Sequence, residues 1–393
     1  GGQGTRLYPL TRDRAKPGVP FGGKYRIVDF PLANAMNSGY RKIFVMLQYA
    51  SRSLHHHIQR NWNPQTGRGE FVEGLFPKMR VANELVYDGT ADALWQNWKD
   101  LTDESPHVIV VLNGDHVFKM DIRQTVAFHN ENNADFTICA TRVSVDVARG
   151  QLGVLAVDEE YRVVAFQEKP EHPTEIPGDP GHCLASMGNY VIPVDVGADI
   201  LERDATNPES GHDFGKDIIP SLIETHRVFA YPYESNQIDG EARPEWSDVG
   251  TIRAFFDACM DLCDPLPKVN LYNTRWPIPS GAEDDTAPAK FVPSRLVVSG
   301  SCIINNAKLW FCILHKYVRV EDWADLDHCV IMDHSVIGYG VRMRNTIVDK
   351  HVNVPDWTVV GFDLEQDKAR GFTIEQFDGS WIVVIPGGYV FSK

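Results

Sequence analysis

Apolar residues along this chain gather in short runs divided by polar stretches rich in glycine and proline, and the runs predict alternating strands and helices. Ile27-Val28-Asp29-Phe30 leads into Leu32-Ala33-Asn34-Ala35-Met36-Asn37-Ser38-Gly39, a helix closed by its glycine. Residues 42–49 are nearly continuous in apolar side chains, the mark of a strand buried on both faces, and a helix is expected from about 51 to 59. Residues 61–86 read as a long polar loop. Asp88-Gly89-Thr90-Ala91-Asp92-Ala93-Leu94 then opens another helix. Val108-Ile109-Val110-Val111-Leu112 is the most strand-like run, and it ends in Asn113-Gly114-Asp115-His116. Further strands are expected at 136–143, 153–157, 163–167 and 189–192, with helices opening near His212-Asp213 and Trp246-Ser247-Asp248. Alternation over about 250 residues indicates an α/β sheet with helices on both faces.

Beyond residue 265 the texture changes. Residues 273–290 are rich in Pro, Gly, Ala and acids and read as a linker over a surface. Small aliphatic residues then recur at intervals of six: Val318, Ala324, Val330, Val336, Val348, Val354 and Val360, interrupted by Arg342. Ile331, Ile337 and Met343 form a second such series. Three hexapeptides make one turn of a left-handed parallel β-helix, with one aliphatic per side pointing inward. The expected divisions are a first domain over 1–264, a linker over 265–291 and a β-helix over 292–393.

Charge narrows the partners. The chain carries a formal net charge of −15, which argues against nucleic acid or an anionic membrane as the main partner. No run of about eighteen apolar residues predicts a membrane-spanning helix. The seven cysteines are odd in number and scattered, which fits a reducing cytoplasm; Cys259 and Cys263, one helical turn apart, suit core packing better than a metal site. No signal peptide is in view, and the opening glycine turn leads us to expect a buried strand before Gly1.

The first residues run against the acidic background. Between Gly1 and Arg26 stand six cations (Arg6, Arg12, Arg14, Lys16, Lys24, Arg26) and one acid, Asp13. Glycine turns bring backbone N–H groups close to phosphate oxygens, and neighbouring cations neutralise the charge. The same composition also serves as ordinary solvated surface. In open parallel sheets the carboxyl ends of strands line the ligand crevice, so Asp115, expected to follow a buried central strand and a glycine, is a candidate metal ligand as well as a candidate turn residue. The helix start at Thr90 could present N–H groups to a nucleotide or simply be capped. His55, His56 and His57 point in different directions on a helix, which makes a metal site there improbable.

Eight stretches in order, GGQGTRL, RAKPGVPFGGKYRIVDF, DGTADALWQN, NGDH, QEKP, ASMGNYV, HDFGKDIIP and WSDVGT, followed by the hexapeptides, make the chain resemble the bacterial ADP-glucose pyrophosphorylases (glucose-1-phosphate adenylyltransferases) from Gly1 to about Val390. The wording around Asn270-Leu271-Tyr272-Asn273 and Arg275-Trp276-Pro277-Ile278 looks most like actinobacterial members. The resemblance implies a Rossmann-like nucleotidyltransferase with a GT-A-like mixed sheet and a carboxy-terminal left-handed β-helix. It implies transfer of AMP from ATP to α-D-glucose 1-phosphate, with pyrophosphate leaving. Arg6 and Lys16 match the family's catalytic cations, and Asp115 and Asp248 its Mg²⁺-holding acids. Gly2, Gly4, Thr5, Gln48, Gly89 and Thr90 match the nucleotide site. Tyr87, Gly153, Glu168, Lys169, Ser186, Tyr190, Asp213 and Lys216 match the sugar-phosphate pocket. Arg14 and Arg26 match positions tied to anionic metabolite effectors, and the family forms homotetramers, or heterotetramers in plants. Asp13, Pro20 and the pair Val86-Tyr87 depart from many relatives, which leaves the identity of the activator open.

Three competing readings follow from the same residues. One is a pyrophosphorylase using another nucleotide, such as UTP or dTTP. Another is a non-catalytic regulatory subunit of the same fold, which the presence of Arg6, Lys16, Asp115 and Asp248 disfavours. The third is a hexapeptide acyltransferase using His315, His328, His334 or His351, which leaves the first two-thirds of the chain unexplained.

Overall fold

A computed structural model describes residues 4–62, 69–81, 84–279 and 286–391. Its first part is built on a mixed sheet in which His182–Pro193 is the central strand. That strand pairs antiparallel with Val154–Val157, with Phe136–Ser144 and with Val108–Val111. Val163–Gln167 extends one side antiparallel to Val154–Val157, and Val228–Pro232 lies parallel to Phe136–Ser144 on the other. The register slips between Ser186 and Tyr190, so Met187, Gly188 and Asn189 bulge from the ladder. Around this sheet a core forms from Phe136, Ile138, Leu155, Tyr190, Phe214 and Ile219.

Three expectations are corrected in this region. Lys42–Met46 is only half-buried, because it pairs solely with Phe71–Leu75 among the described residues. Phe71–Leu75 itself is a parallel strand inside the stretch read as a loop. Val108–Val111 is likewise half-buried and, among the described residues, pairs only with His182–Pro193, so it is not a central strand of a parallel sheet.

Part of the segment read as a surface linker is packed. Trp276 and Ile278 are buried, and the Trp276 indole donates to Asn34 Oδ1 at 3.2 Å. The buried Lys119 ammonium donates to Glu241 Oε1 at 2.6 Å and to the Asn270 carbonyl at 2.5 Å. Ala289–Phe291 then pairs antiparallel with Leu296–Val298.

The remainder is a parallel β-helix, with a coil of 17 residues (308 to 325, 325 to 342) where three full hexapeptides would take about 18. Lys308 pairs with Asp325 and Asp325 with Arg342, while on another side Arg319 pairs with Val336 and Val336 with Asn353. Corner residues repeat at the same interval with left-handed backbone: Tyr317, His334 and His351 on one edge, Trp323, Gly340 and Trp357 on another. Because the coil is one residue short of three hexapeptides, the six-spaced series drifts in phase. Val318, Ala324, Val348, Val354, Val360, Ile331, Ile337 and Met343 fill the β-helix interior. Val330 instead turns outward, into a core shared with the first part of the chain. Helix Ile252–Cys263 supplies that core's other wall with Ile252, Phe255, Phe256, Cys259, Leu262 and Cys263, the i, i+3, i+4, i+7 stripe of an amphipathic helix. Burial of each large apolar side chain contributes about 1.5–3 kcal/mol, so this seam of aromatic and aliphatic contacts fixes the two parts against each other. Cys259 and Cys263 are free thiols within it, as their spacing led us to expect.

Candidate functional site

The glycine-rich loop enters the site as two short turns of 3₁₀ helix, Thr5–Leu7 and Lys16–Gly18. Leu7 and Leu10, fully buried, anchor it. Gly4 has φ +67°, its carbonyl accepts Thr11 Oγ1–H at 2.8 Å, and a Cβ there would press on Thr11 Cγ2 at 3.2 Å. Thr5 and Arg6 are exposed, and Arg6 Nη1 donates to Gln151 Oε1 at 2.6 Å. Gly2 lies outside the described residues.

Lys16 is the centre of the arrangement. Its side chain is 9% exposed, and Nζ lies 3.0 Å from Asp115 Oδ2 and 2.9 Å from Asp248 Oδ1. Asp248 ends strand Trp246–Asp248, which pairs antiparallel with His116–Phe118 and sets Asp248 opposite His116. A Cβ on Gly250 would come within 2.8 Å of Asp248 Oδ1 and 3.1 Å of Lys16 Nζ, so a side chain there would push the ion pair apart. Burial pushes the Asp115 carboxyl upward, but its cationic neighbours more than reverse this and hold it below the usual carboxylate range. His116 and Lys16 are the neighbours that lower it, and burial in turn lowers the His116 pKa against the pull of Asp115 and Asp248. Asp115 Oδ1 is buried and has no hydrogen-bond partner. An orphaned carboxylate oxygen beside a second carboxylate is a donor set suited to a hard divalent cation.

Gln48, Tyr87, Gly89 and Thr90, expected at the nucleotide and sugar-phosphate sites, make contacts that link the two expected groups. Gln48 Oε1 accepts the Tyr87 backbone N–H, so these two residues sit together. The Tyr87 hydroxyl accepts Asn97 Nδ2–H at 3.0 Å, and burial raises its pKa to about 12. Tyr87, expected at the sugar phosphate, is thus in direct contact with Gln48, expected at the nucleotide. Gly89, at φ +99°, caps helix Thr90–Gln96, and a Cβ there would lie 2.2 Å from the His212 carbonyl oxygen. The Thr90 hydroxyl donates to Asp213 Oδ2 at 3.2 Å and accepts the Phe214 N–H at 3.1 Å, which turns it toward a wall built around Asp213.

That wall holds most of the remaining expected residues. Asp213 caps the turn Phe214–Ile218 by accepting the N–H groups of Gly215 and Lys216 at 2.9 and 3.2 Å. Glu168 accepts from Lys169 Nζ at 2.7 Å and lies over Gly153 and Gly215, where added Cβ atoms would stand 3.2 and 2.9 Å from Glu168 Oε2. Lys169 has left-handed backbone and an exposed ammonium, and Lys216 is exposed as well. Ser186 N donates to the Gly153 carbonyl at 2.8 Å, and Ser186 Oγ accepts the Gly188 N–H at 3.2 Å. Tyr190 is buried between Phe136 and Phe214, and burial raises its pKa. The bulge ties this wall to the acids: Asn189 Oδ1 accepts the Asn113 N–H at 2.7 Å.

Arg14 and Arg26 lie at the seam with the β-helix. Arg14 makes a two-pronged pair with Asp349 at 2.8 and 3.2 Å. Arg26 donates to the Ser53 carbonyl and hydroxyl at 3.0 and 3.1 Å, and burial lowers its pKa. Asp29, wholly buried, accepts Arg26 N–H, Trp62 Nε1–H and His57 Nε2 at 2.6–2.7 Å, which gives the last of the histidine triplet a structural task. Lys350 pairs with Asp333 at 2.7 Å beside these arginines. Sequence reasoning did not assign Gln151, His116 or Trp246; the last two stood inside quoted motifs, but only their contacts reveal them.

Residues 1–265 match the family model described as nucleotidyl transferase, and residues 283–385 match the GlmU-like carboxy-terminal hexapeptide model. The chain is 42% identical over 386 residues to a glucose-1-phosphate adenylyltransferase of Shewanella frigidimarina, covering 96% of this chain and 91% of that protein. It is equally similar to the glucose-1-phosphate adenylyltransferase of Alteromonas mediterranea, over 96% of this chain and 88% of that one. A third relative, glucose-1-phosphate adenylyltransferase 2 of Pseudoalteromonas atlantica, is 42% identical over 95% of this chain and 90% of its own length. The chain belongs to the glucose-1-phosphate adenylyltransferase family of nucleotidyl transferases.

Proposed function

We propose that this chain transfers AMP from ATP to α-D-glucose 1-phosphate, giving ADP-glucose and pyrophosphate, and so supplies an activated glucosyl donor for α-glucan synthesis. The observation that carries the reading is the Lys16–Asp115–Asp248 cluster with its unpartnered Asp115 oxygen, set between a glycine-rich loop and the Glu168–Lys169 wall. A phosphate oxygen of the sugar phosphate attacks the α-phosphorus in line. The new P–O bond forms as the bond to the β-phosphate bridge breaks, and the electron pair leaves with pyrophosphate. No covalent bond to the protein is needed, so positioning and charge neutralisation supply the rate.

Asp115 and Asp248 hold Mg²⁺, which neutralises phosphate charge when bound. Arg6 and Lys16 act on the triphosphate as charge increases on the leaving group. Lys16 begins paired to both acids, so it exchanges carboxylate for phosphate oxygens as the nucleotide arrives. Gly4, Thr5, Gln48 and Gly89 receive the nucleotide, with Thr90 bridging to the sugar side. Glu168 with Ser186, Tyr190 and Asp213 shapes the sugar pocket, while Lys169 and Lys216 meet the sugar's phosphate as point charges. Arg14 and Arg26 serve an anionic metabolite effector at the seam, in a cytoplasmic homotetramer. No described helix is long and apolar enough to cross a membrane. Incubation with ATP, Mg²⁺ and glucose 1-phosphate should yield ADP-glucose and pyrophosphate in equal amounts. Release of pyrophosphate without ADP-glucose would refute the proposal.

A further inference from the structure

His116 and Trp246 lie on one face of the short ladder that carries Asp248. Side chains two apart on a strand share a face, so Trp246 sits diagonally across from His116. The rings meet edge to face with centroids 5.0 Å apart, and Trp246 Nε1–H points at His116 Nδ1 at 3.2 Å. An indole nitrogen can only donate, so Nδ1 must be the bare acceptor and the ring proton sits on Nε2. Nε2 in turn lies 3.6 Å from Asp115 Oδ1 and 3.7 Å from Asp248 Oδ1, with the Asn113 amide at 3.4 Å. The amide nitrogen is the end of Asn113 that lies nearest Nε2, at the long limit of a hydrogen bond, and the ring also bonds the Met187 backbone. Asp115 Oδ1 is the same buried oxygen that lacks any other partner.

We infer that His116 is a positioning residue for the two acids, with its tautomer fixed by Trp246. The Nε2–H group stands near one oxygen of each carboxylate; Lys16 Nζ meets Asp115 through its other oxygen, Oδ2, but meets Asp248 through the same Oδ1. The distances from Nε2 are too long for hydrogen bonds, so the ring acts as an electrostatic guide that offsets carboxylate repulsion without occupying either oxygen. Lys16, already on Asp248 Oδ1, must give way to an incoming divalent cation, whereas an N–H held beyond hydrogen-bond distance steers the oxygens without having to be displaced. The inference rests on the metal reading of Asp115 and Asp248.

Mn²⁺ binding in the presence of ATP, without glucose 1-phosphate, tests it by the electron paramagnetic resonance signal of free Mn²⁺. Loss of an outer partner of metal ligands typically weakens affinity by about 10–100-fold, and His116→Leu and Trp246→Phe should fall near the lower end, about 10-fold. His116→Gln, which keeps an N–H near the Nε2 position, should recover most of that loss. ATP affinity measured without divalent metal should not move in any of the three, which separates guidance of the metal from general damage to the site. Should His116→Leu fail to fold, Trp246→Phe, which keeps an aromatic wall, carries the test. Unchanged Mn²⁺ affinity in Trp246→Phe, with affinity lost in Asp115→Asn, would overturn the inference alone. Unchanged affinity in Asp115→Asn would overturn the metal reading beneath it.

Discussion

Gly89→Ala tests whether the proposed nucleotide and sugar-phosphate sides are coupled through the packing of Gly89 and Thr90 on His212–Phe214. Gly89 has φ +99° and ψ 173°, a region that essentially only glycine occupies. A Cβ would stand 2.2 Å from the His212 carbonyl oxygen and 2.5 Å from that of Gly211. Backbone cannot yield as a flexible side chain does, so the seam must open by about 1 Å to restore ordinary contact. Opening breaks the Ala91 N–H bond to the His212 carbonyl (2.8 Å) and strains the Thr90 contacts with Asp213 and Phe214. Strain of about 2 kcal/mol and two hydrogen bonds at about 1 kcal/mol each give a loss of about 4 kcal/mol. If the first part of the chain melts as a unit, that lowers its Tm by on the order of 10 °C. A displacement of 1 Å between reacting partners costs roughly 100-fold, so kcat/KM should fall by about that factor for both substrates together. Scanning calorimetry and initial rates against each substrate measure both effects. A Gly89→Ala enzyme melting within about 2 °C of the parent, with kcat/KM within about threefold, would refute the reasoning.

Further substitutions separate the other parts. Asp115→Ala should abolish nearly all turnover while size-exclusion chromatography shows an unchanged assembly; near-normal turnover contradicts the metal role. Lys169→Ala should mainly raise the KM for glucose 1-phosphate, and a change confined to ATP dependence contradicts its place in the pocket. Arg14→Ala leaves the nearly buried Asp349 carboxylate unpaired and should cost about 3 kcal/mol, with much of it regained in Arg14→Ala/Asp349→Ala. His315, wholly buried with neither ring nitrogen partnered, has its pKa lowered to about 4 by burial. Because the folded value lies below the unfolded one, the native state loses stability as pH falls from about 6.5 toward 4, by roughly 3 kcal/mol in full. His315→Leu should flatten that part of the Tm–pH curve, and an unchanged curve rejects the assignment.

Strands with dense apolar runs, such as 136–143 and 189–192, were legible because burial leaves a direct trace in residue type. Phe71–Leu75 was not, since a glutamate and a glycine interrupt it and its partner strand lies across a helix. The β-helix was visible in its aliphatic spacing, but not its 17-residue coil, which depends on left-handed corners such as His334 and His351 that hydropathy does not register. Resemblance supplied the site residues, and geometry was needed to group them. Nothing in the spacing of Lys16, Asp115 and Asp248 along the chain says that one ammonium bridges both carboxylates. The contacts of Thr90 and Tyr87 were hidden for the same reason: their partners Asp213, Phe214 and Gln48 come from distant segments.

The most direct test of the proposed activity is the specificity constant for each nucleoside triphosphate with glucose 1-phosphate and Mg²⁺, read as pyrophosphate released. The account predicts a clear preference for ATP, with ADP-glucose as the sugar nucleotide formed. A clear preference for UTP or dTTP would contradict it.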